Sequence, residues 1–563
     1  MSRKFIASNA CWLLLLVCAS LSQADAQAHP KPLGVYAHVD ILYAMQGCKP
    51  KPCSQDQQLS YLSGLYTDLL GNLAISGLAV GIHWDMIQLS SPRCGIYHTC
   101  VPGTDVNGNS WIYLDGVFAA IAAANAKANA AAKSVQLILT PGVDSPAWLL
   151  DNVQPPPNNR AWWCAIPVPA CPTCRCVPLT NSPPLSCDGL FTGAGAPADC
   201  GEVTFSKLPE QQRADPKGGP WVLPLPWNSS YQFYWGEFLG EVSGKYGSNP
   251  AFVAVAVAGP NGASTEMVLP TTANGSLQNP NEPADDAWKK LIAHDFKPNS
   301  GYRDTDEVFI DNWTQTIKAY GSIFPNVTRV ISPNTGSDLP AFNIHPIPKH
   351  SDNTLVAEDC KQYSTTDPGY RSCEAKTEIL SRFLMLSDNA KATQVGGMRA
   401  SSPTCTGDIG LPGVKLLTPG SSQASPPLIG GAAFDHAVSV TEQQRQEMGC
   451  PPKKPIPPAT CTTTTAPANP NCEVSIEEAA YNVLTNFFYG TSSAPDFGGP
   501  SGGTATIQYV QVEFEDIQYA NKHPPPPRTI SCKSSLQYLL DIASYDLFTM
   551  ASQPPPGQKP NCN

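Results

Sequence analysis

The sequence predicts an α/β protein, a (β/α)8 barrel with long disulfide-stapled loops. Three observations predict it. Apolar strand-like runs alternate with helical segments along the chain. The runs are near-continuously apolar, as strands of a parallel sheet covered on both faces are. Prolines and cysteines gather in the segments that follow strands, where a barrel carries its functional loops.

Ahead of the first strand, Arg3 and Lys4 precede the apolar run Cys11–Ala19, and small residues follow at Ala24 and Ala26. That order is a secretory signal peptide. The run falls short of the ~20 apolar residues of a spanning helix. Cleavage near Ala26, no membrane anchor and a secreted or periplasmic mature protein are expected. Lipid attachment at Cys18 is the alternative, and Val17 fits it poorly.

The first strand is read at Gly34–Val39. A helical segment from Leu59 to Leu73 leads to the second at Leu78–Trp84. The alanine-rich helix from Asp115 to Lys133, with Val117 and Ile121 on one face, leads to the third at Val135–Leu139. After a cysteine-rich insertion, the helix Tyr231 to Tyr246 feeds the strand Phe252–Ala258, stopped by Gly259 and Pro260. Helices at Trp313–Phe324 and Glu374–Leu386 precede strands at Val327–Ile331 and Thr393–Met398. A helix at Ser475–Phe488, the strand Ile507–Glu513 and a helix at Ser534–Leu547 complete the pattern. That makes seven strands; the eighth lies near Leu428 to Val438 or is degenerate. The rival, a doubly wound open sheet, lacks here its glycine-rich phosphate loop after the first strand.

No linker divides the chain. One domain is expected over 30–550, with insertions at about 150–220 and 399–472 and a C-terminal tail at 551–563. Without the signal, 33 basic and 45 acidic side chains leave a net charge of −12. That disfavours nucleic acid and anionic membranes as partners. Charged residues are only 14% of the chain, which suits a neutral substrate. Removing Cys11 and Cys18 leaves 18 cysteines in an exported chain, so disulfides are the default. The densest group is Cys164, Cys171, Cys174 and Cys176, followed by Cys187 and Cys200. Sequons at Asn228, Asn274, Asn312 and Asn326 make it a candidate glycoprotein, at about the frequency chance gives.

Two carboxylates stand out. Glu266 follows the fourth strand, in Gly259-Pro260-Asn261-Gly262-Ala263-Ser264-Thr265-Glu266. Glu513 ends the last strand, where parity sends Val510, Val512 and Phe514 to the helices and Tyr509, Gln511, Glu513 and Glu515 into the barrel mouth. Carboxylates inside a barrel are costly unless paired or used. Glycoside cleavage needs two of them, one protonating the leaving oxygen while the other stabilises or captures the oxocarbenium-like centre. The structural alternative is that Glu266, and Glu515 or Asp516, are acids at helix N-termini.

Pro226-Trp227-Asn228, the helix with Tyr231 and Trp235, Lys245-Tyr246-Gly247, Asn249-Pro250, the strand, Gly259-Pro260 and Glu266 form an order that resembles the retaining TIM-barrel glycoside hydrolases. Pro141–Leu149 is similar to the third loop of that superfamily. The resemblance covers about 35 to 265. It implies an acid/base glutamate after strand 4, here Glu266, and a nucleophile glutamate at strand 7, here Glu513, with Glu515 as substitute. Thr265-Glu266 departs from the usual Asn-Glu pair, and the last strand being number 7 or 8 decides how well Glu513 matches.

His83, Trp84 and Asp85 after strand 2, Asp144 after strand 3 and Arg399 after strand 6 stand where sugar hydroxyls are gripped. His83 serves equally well as a structural histidine. Trp148, Trp162, Trp163, Trp227 and Trp235 offer flat faces for pyranose rings, about half of them being ordinary core. Tyr36 and His38 line the floor of the same cavity. No His-Glu-x-x-His, Walker loop, Gly-x-Ser-x-Gly elbow or histidine cluster is present, so no metal or other cofactor is expected. The expected function is a secreted glycosidase acting on a carbohydrate substrate. The alternative is a non-catalytic carbohydrate-binding or structural protein on the same scaffold.

Overall fold

The computed structural model describes most of residues 29–332, then scattered residues from 372 to 383, 391–395, 428–431, 507–522 and 536–550. Within 29–332 the segments 95–99, 128–131, 151–161, 164–176, 179–185, 196–199, 209–219, 263–266 and 297–304 and a few single positions are outside the description. The signal segment, Cys164 to Cys176, Asn274, Arg399 and the helix expected at Ser475–Phe488 therefore lie outside the described residues, as does Glu266.

The protein is α/β, built on a curled parallel sheet. Its strands are β1 (Gly34–Asp40), β2 (Ile75–His83), β3 (Ser134–Thr140), β4 (Phe252–Ala256), β5 (Thr328–Ile331), β6 (Lys391–Val395), β7 (Leu428–Gly431) and β8 (Ile507–Glu513). Six of them pair in the order β5-β4-β3-β2-β1-β8. The short β6 and β7 pair with β5, with each other and with β8. β1 pairs with β8 in register, Tyr36 opposite Gln511 and His38 opposite Glu513. Among the described residues Leu428–Gly431 precedes the strand carrying Glu513, which is therefore the eighth in this order. β6 begins at Lys391, two residues before the expected start.

Alternation explains why the sheet has two apolar faces. Val35, Ala37, Val39, Leu78, Val80, Ile82, Leu137, Val255, Val510 and Val512 pack outward in one large cluster with the helices. Tyr36, Ala79, Ala254, Val330 and Tyr509 form a separate inner cluster with Ile138 against it. Each buried valine or leucine contributes about 1.5–3 kcal/mol, so a one-residue slip of any strand would be ruinous.

The covering helices are α1 (Gln55–Gly71), α2 (Ile112–Asn125), α3 (Ser229–Tyr246), α4 (Thr305–Ile323), α5 (Phe514–Lys522) and α6 (Leu536–Met550). α1 starts at Ser54, whose hydroxyl accepts from the Gln57 amide while the Gln57 side chain accepts from the Ser54 amide, a capping box. Its Leu62, Leu65, Tyr66, Leu69 and Leu70 are buried. α3 starts at Asn228, whose carbonyl accepts from the Tyr231 amide. Asn312 accepts from Gln232 and donates to the Val308 carbonyl. Both asparagines are under 10% exposed, so these two sequons are closed to a glycan in the folded protein.

Disulfides join Cys48 to Cys53, Cys94 to Cys100 and Cys187 to Cys200. The three staple segments that follow β1, β2 and β3 respectively, as the distribution of cysteines predicts. No helix among the described residues is long and apolar enough to cross a membrane.

Candidate functional site

At the carboxyl ends of β8 and β1, Glu513 is 2% exposed and its Oε2 lies 3.0 Å from His38 Nδ1. Register produces this contact, since the two residues are cross-strand neighbours on the inner face. One layer below, the Gln511 amide donates to Gln136 Oε1 on β3 at 2.9 Å. Tyr36 and Tyr509 meet edge to face beside it, and the Tyr36 hydroxyl bonds Ser134 Oγ at 2.7 Å. Burial raises both tyrosine hydroxyls above their ordinary pKa. Tyr36, Tyr509, Gln511 and Gln136, all buried, are therefore a sealed, neutral floor under the His38 and Glu513 pair.

Glu515 does not extend the inward-facing row. The strand ends at Glu513 and α5 begins at Phe514, so the period of two stops there. Glu515 stands in the first turn of α5, partly buried, with the Tyr43 hydroxyl bonding it and Tyr61 nearby. Burial pushes its carboxyl up to about 7, and the charge of Glu513 adds to the rise; its own amide, Tyr43 and His38 oppose it. The two carboxyls thus have unlike partners, Glu513 an imidazole and Glu515 a tyrosine hydroxyl.

A second charged group lies at the ends of β2 and β3. His83 Nδ1 is 3.1 Å from Asp144 Oδ1. Burial alone lowers an imidazole, but the Asp144 carboxylate, with Asp40 and Asp85 adding, raises His83 to about 9. It is an imidazolium at neutral pH. Asp144 sits in the short 3-10 turn Gly142–Asp144, where Gly142 has φ +77° and a Cβ would come within 1.9 Å of the Gly262 carbonyl. Asp40 caps the following turn, accepting from the Tyr43 amide at 2.9 Å. Sequence reasoning passed over Asp40 and Gln136. Asp40 ends β1 and carried a signal by that position; Gln136 carried none.

The aromatic residues divide. Trp84 is 0% exposed and packs among Trp148, Tyr231, Trp235 and Phe238, so it has no face for a sugar. Trp235, buried in the same cluster, is likewise core. Trp227 is fixed by its Nε1 donating to Asp295 Oδ2 at 2.7 Å and packs on Trp288, Phe296 and Phe309. Trp148 is partly exposed, its Nε1 donating to the Gln88 carbonyl. A tryptophan beside a strand end is as good a wedge between helix and sheet as a platform for a ring.

Among the described residues, Cys200, His294 and Asp295 bring metal-ligand atoms within 4.8 Å of one another. Cys200 is bonded to Cys187, and Asp295 is engaged by Trp227 and His294. The donor set is committed to structure.

No family profile and no curated protein matches the chain. Among solved structures, the catalytic domain of a beta-amylase from Paenibacillus polymyxa is similar over 90% of this chain and 98% of its own, at 10% identity and a TM-score of 0.36.

Proposed function

We propose that the protein is an exported glycoside hydrolase on a TIM-type (β/α)8 barrel, cleaving a neutral oligo- or polysaccharide with two carboxyl groups and retention of configuration. Glu513 is the nucleophile and Glu266 the acid/base in this reading. The observation that carries it is the setting of Glu513: a nearly fully buried carboxylate at the inner carboxyl end of a strand, aimed by His38. Burying that charge is expensive, and orientation by an imidazole is what a nucleophile needs.

In the first step the Glu513 carboxylate attacks the anomeric carbon while the acid protonates the departing oxygen. Water, deprotonated by the same residue acting as base, then releases the sugar and frees Glu513. The eighth-strand position departs from the superfamily's seventh, so the role of Glu513 stands on its surroundings here rather than on the resemblance. A second reading keeps Glu513 and gives the proton to Glu515, which a value of about 7 leaves about half protonated near neutrality.

The test is hydrolysis of aryl glycosides and a polysaccharide panel by Glu266→Gln, Glu513→Gln and Glu515→Gln proteins of unchanged fold. Loss of at least about a thousandfold in Glu513→Gln is expected. Of the other two, the one that fails on poor leaving groups and recovers on activated aryl glycosides is the acid. Full activity in both Glu266→Gln and Glu513→Gln would sink the assignment.

A further inference from the structure

The carboxyl-end face has a second half with opposite chemistry. Beyond β3, β4 and β5 stand Ser145, Asn261 and Ser332, exposed by 3%, 3% and 6%. Among the described residues, the Ser145 hydroxyl, both amide atoms of Asn261 and the Ser332 hydroxyl have no hydrogen-bond partner. Natively buried polar atoms are almost always paired, and leaving one unpaired is costly.

The backbone around them is not loose. Val143 donates to the Gly262 carbonyl at 3.0 Å, Gly262 to Val268 at 2.9 Å, Met267 to Ser332 at 3.2 Å and Ser145 to Gly142 at 3.1 Å. The Tyr231 hydroxyl bonds the Gly142 backbone, and the Ala258 amide donates to the Tyr320 hydroxyl. These backbone hydrogen bonds join the ends of three neighbouring strands and leave three buried side chains over.

We infer that Ser145, Asn261 and Ser332 form a subsite for the hydroxyl groups of a neutral carbohydrate. None of the three is charged, so an ion would find no counter-charge in them. Each offers a donor and an acceptor together, which is the complement of a hydroxyl group. Their burial places them where each bond to a hydroxyl counts most, because an analogue lacking it leaves the protein group unpaired. The charged half of the face, with Glu513 and His83, then faces the reacting bond while the neutral half grips the sugar. This deepens the glycosidase reading and rests on it for the ligand class.

The test uses the full mature chain, titrated calorimetrically with cellohexaose, xylohexaose, maltohexaose and mannohexaose, alongside Ser145→Ala, Asn261→Ala and Ser332→Ala. The expected result is at least about tenfold weaker binding of the preferred hexaose by each variant. Melting temperatures should be unchanged or higher, since an unpaired buried group has been removed. A lowered melting temperature with unchanged binding marks a structural role and overturns the inference. So does unchanged binding with unchanged stability, the result if only water is bound there, and so does a wild type that binds none of the four sugars. Reducing-sugar release is followed in the same samples. Binding lost in the variants without hydrolysis by the wild type removes the enzymatic reading and leaves the subsite. Hydrolysis with equal binding by all variants does the reverse.

Discussion

His38 and Glu513 lie 475 residues apart in sequence and 3.0 Å apart in space, on neighbouring parallel strands. Imidazole and carboxylate hold each other's orientation, so His38 is a positioning residue for whatever Glu513 does. His38→Ala is expected to lower kcat by about 10- to 100-fold with KM little changed, and His38→Asn, which retains a donor, to recover part of it. Equal kcat in wild type and His38→Ala would remove the positioning role.

His83 sets a pH dependence of stability. Its folded value of about 9 exceeds the ordinary 6.5, so the contribution is complete below pH 6.5 and disappears as pH rises through about 9. The amplitude is of order 3 kcal/mol. Denaturant midpoints between pH 6 and 10 should fall over that window, and His83→Gln should flatten the fall. An equally steep decline in the variant would assign the window elsewhere.

Glu515 also has a raised value, about 7 against 4.5, so its protonated form is the one the fold favours. Its contribution is full below pH 4.5 and lost as pH rises through about 7. Glu515→Gln should therefore be more stable than wild type at pH 8 and nearly equal to it at pH 4. If Glu515 is the proton donor, activity also declines on the alkaline side with a midpoint near 7, a limb absent when Glu266 serves instead.

Gly142 couples the ends of β3 and β4. With φ +77° and the Gly262 carbonyl 1.9 Å from any Cβ, Gly142→Ala must displace main chain rather than a side chain. A loss of about 2–4 kcal/mol is expected by thermal unfolding. Sugar binding should weaken with it, because the displaced carbonyl belongs to the residue following Asn261.

Hydrophobic periodicity made the strands legible because burial on both faces leaves a nearly uninterrupted apolar run, as in Leu78 to Ile82. The short β7 was legible only as a region, since four residues with two glycines carry almost no pattern. Inward orientation along Tyr509, Gln511 and Glu513 followed from parity and failed at Glu515, where a helix begins one residue after the strand ends. The tryptophans could not be sorted by sequence, because composition does not tell which side of a helix a ring will fill. Orphaned side chains such as Asn261 were invisible: a missing hydrogen bond exists only once neighbours are in place.

Parallel pairing of the first strand with the last has a temporal side. Loop closure over 475 residues is entropically demanding, and it cannot begin until β8 has been synthesised. A chain truncated before β8 therefore lacks the contact between Glu513 and His38, and the pair assembles only once the last strand is in place.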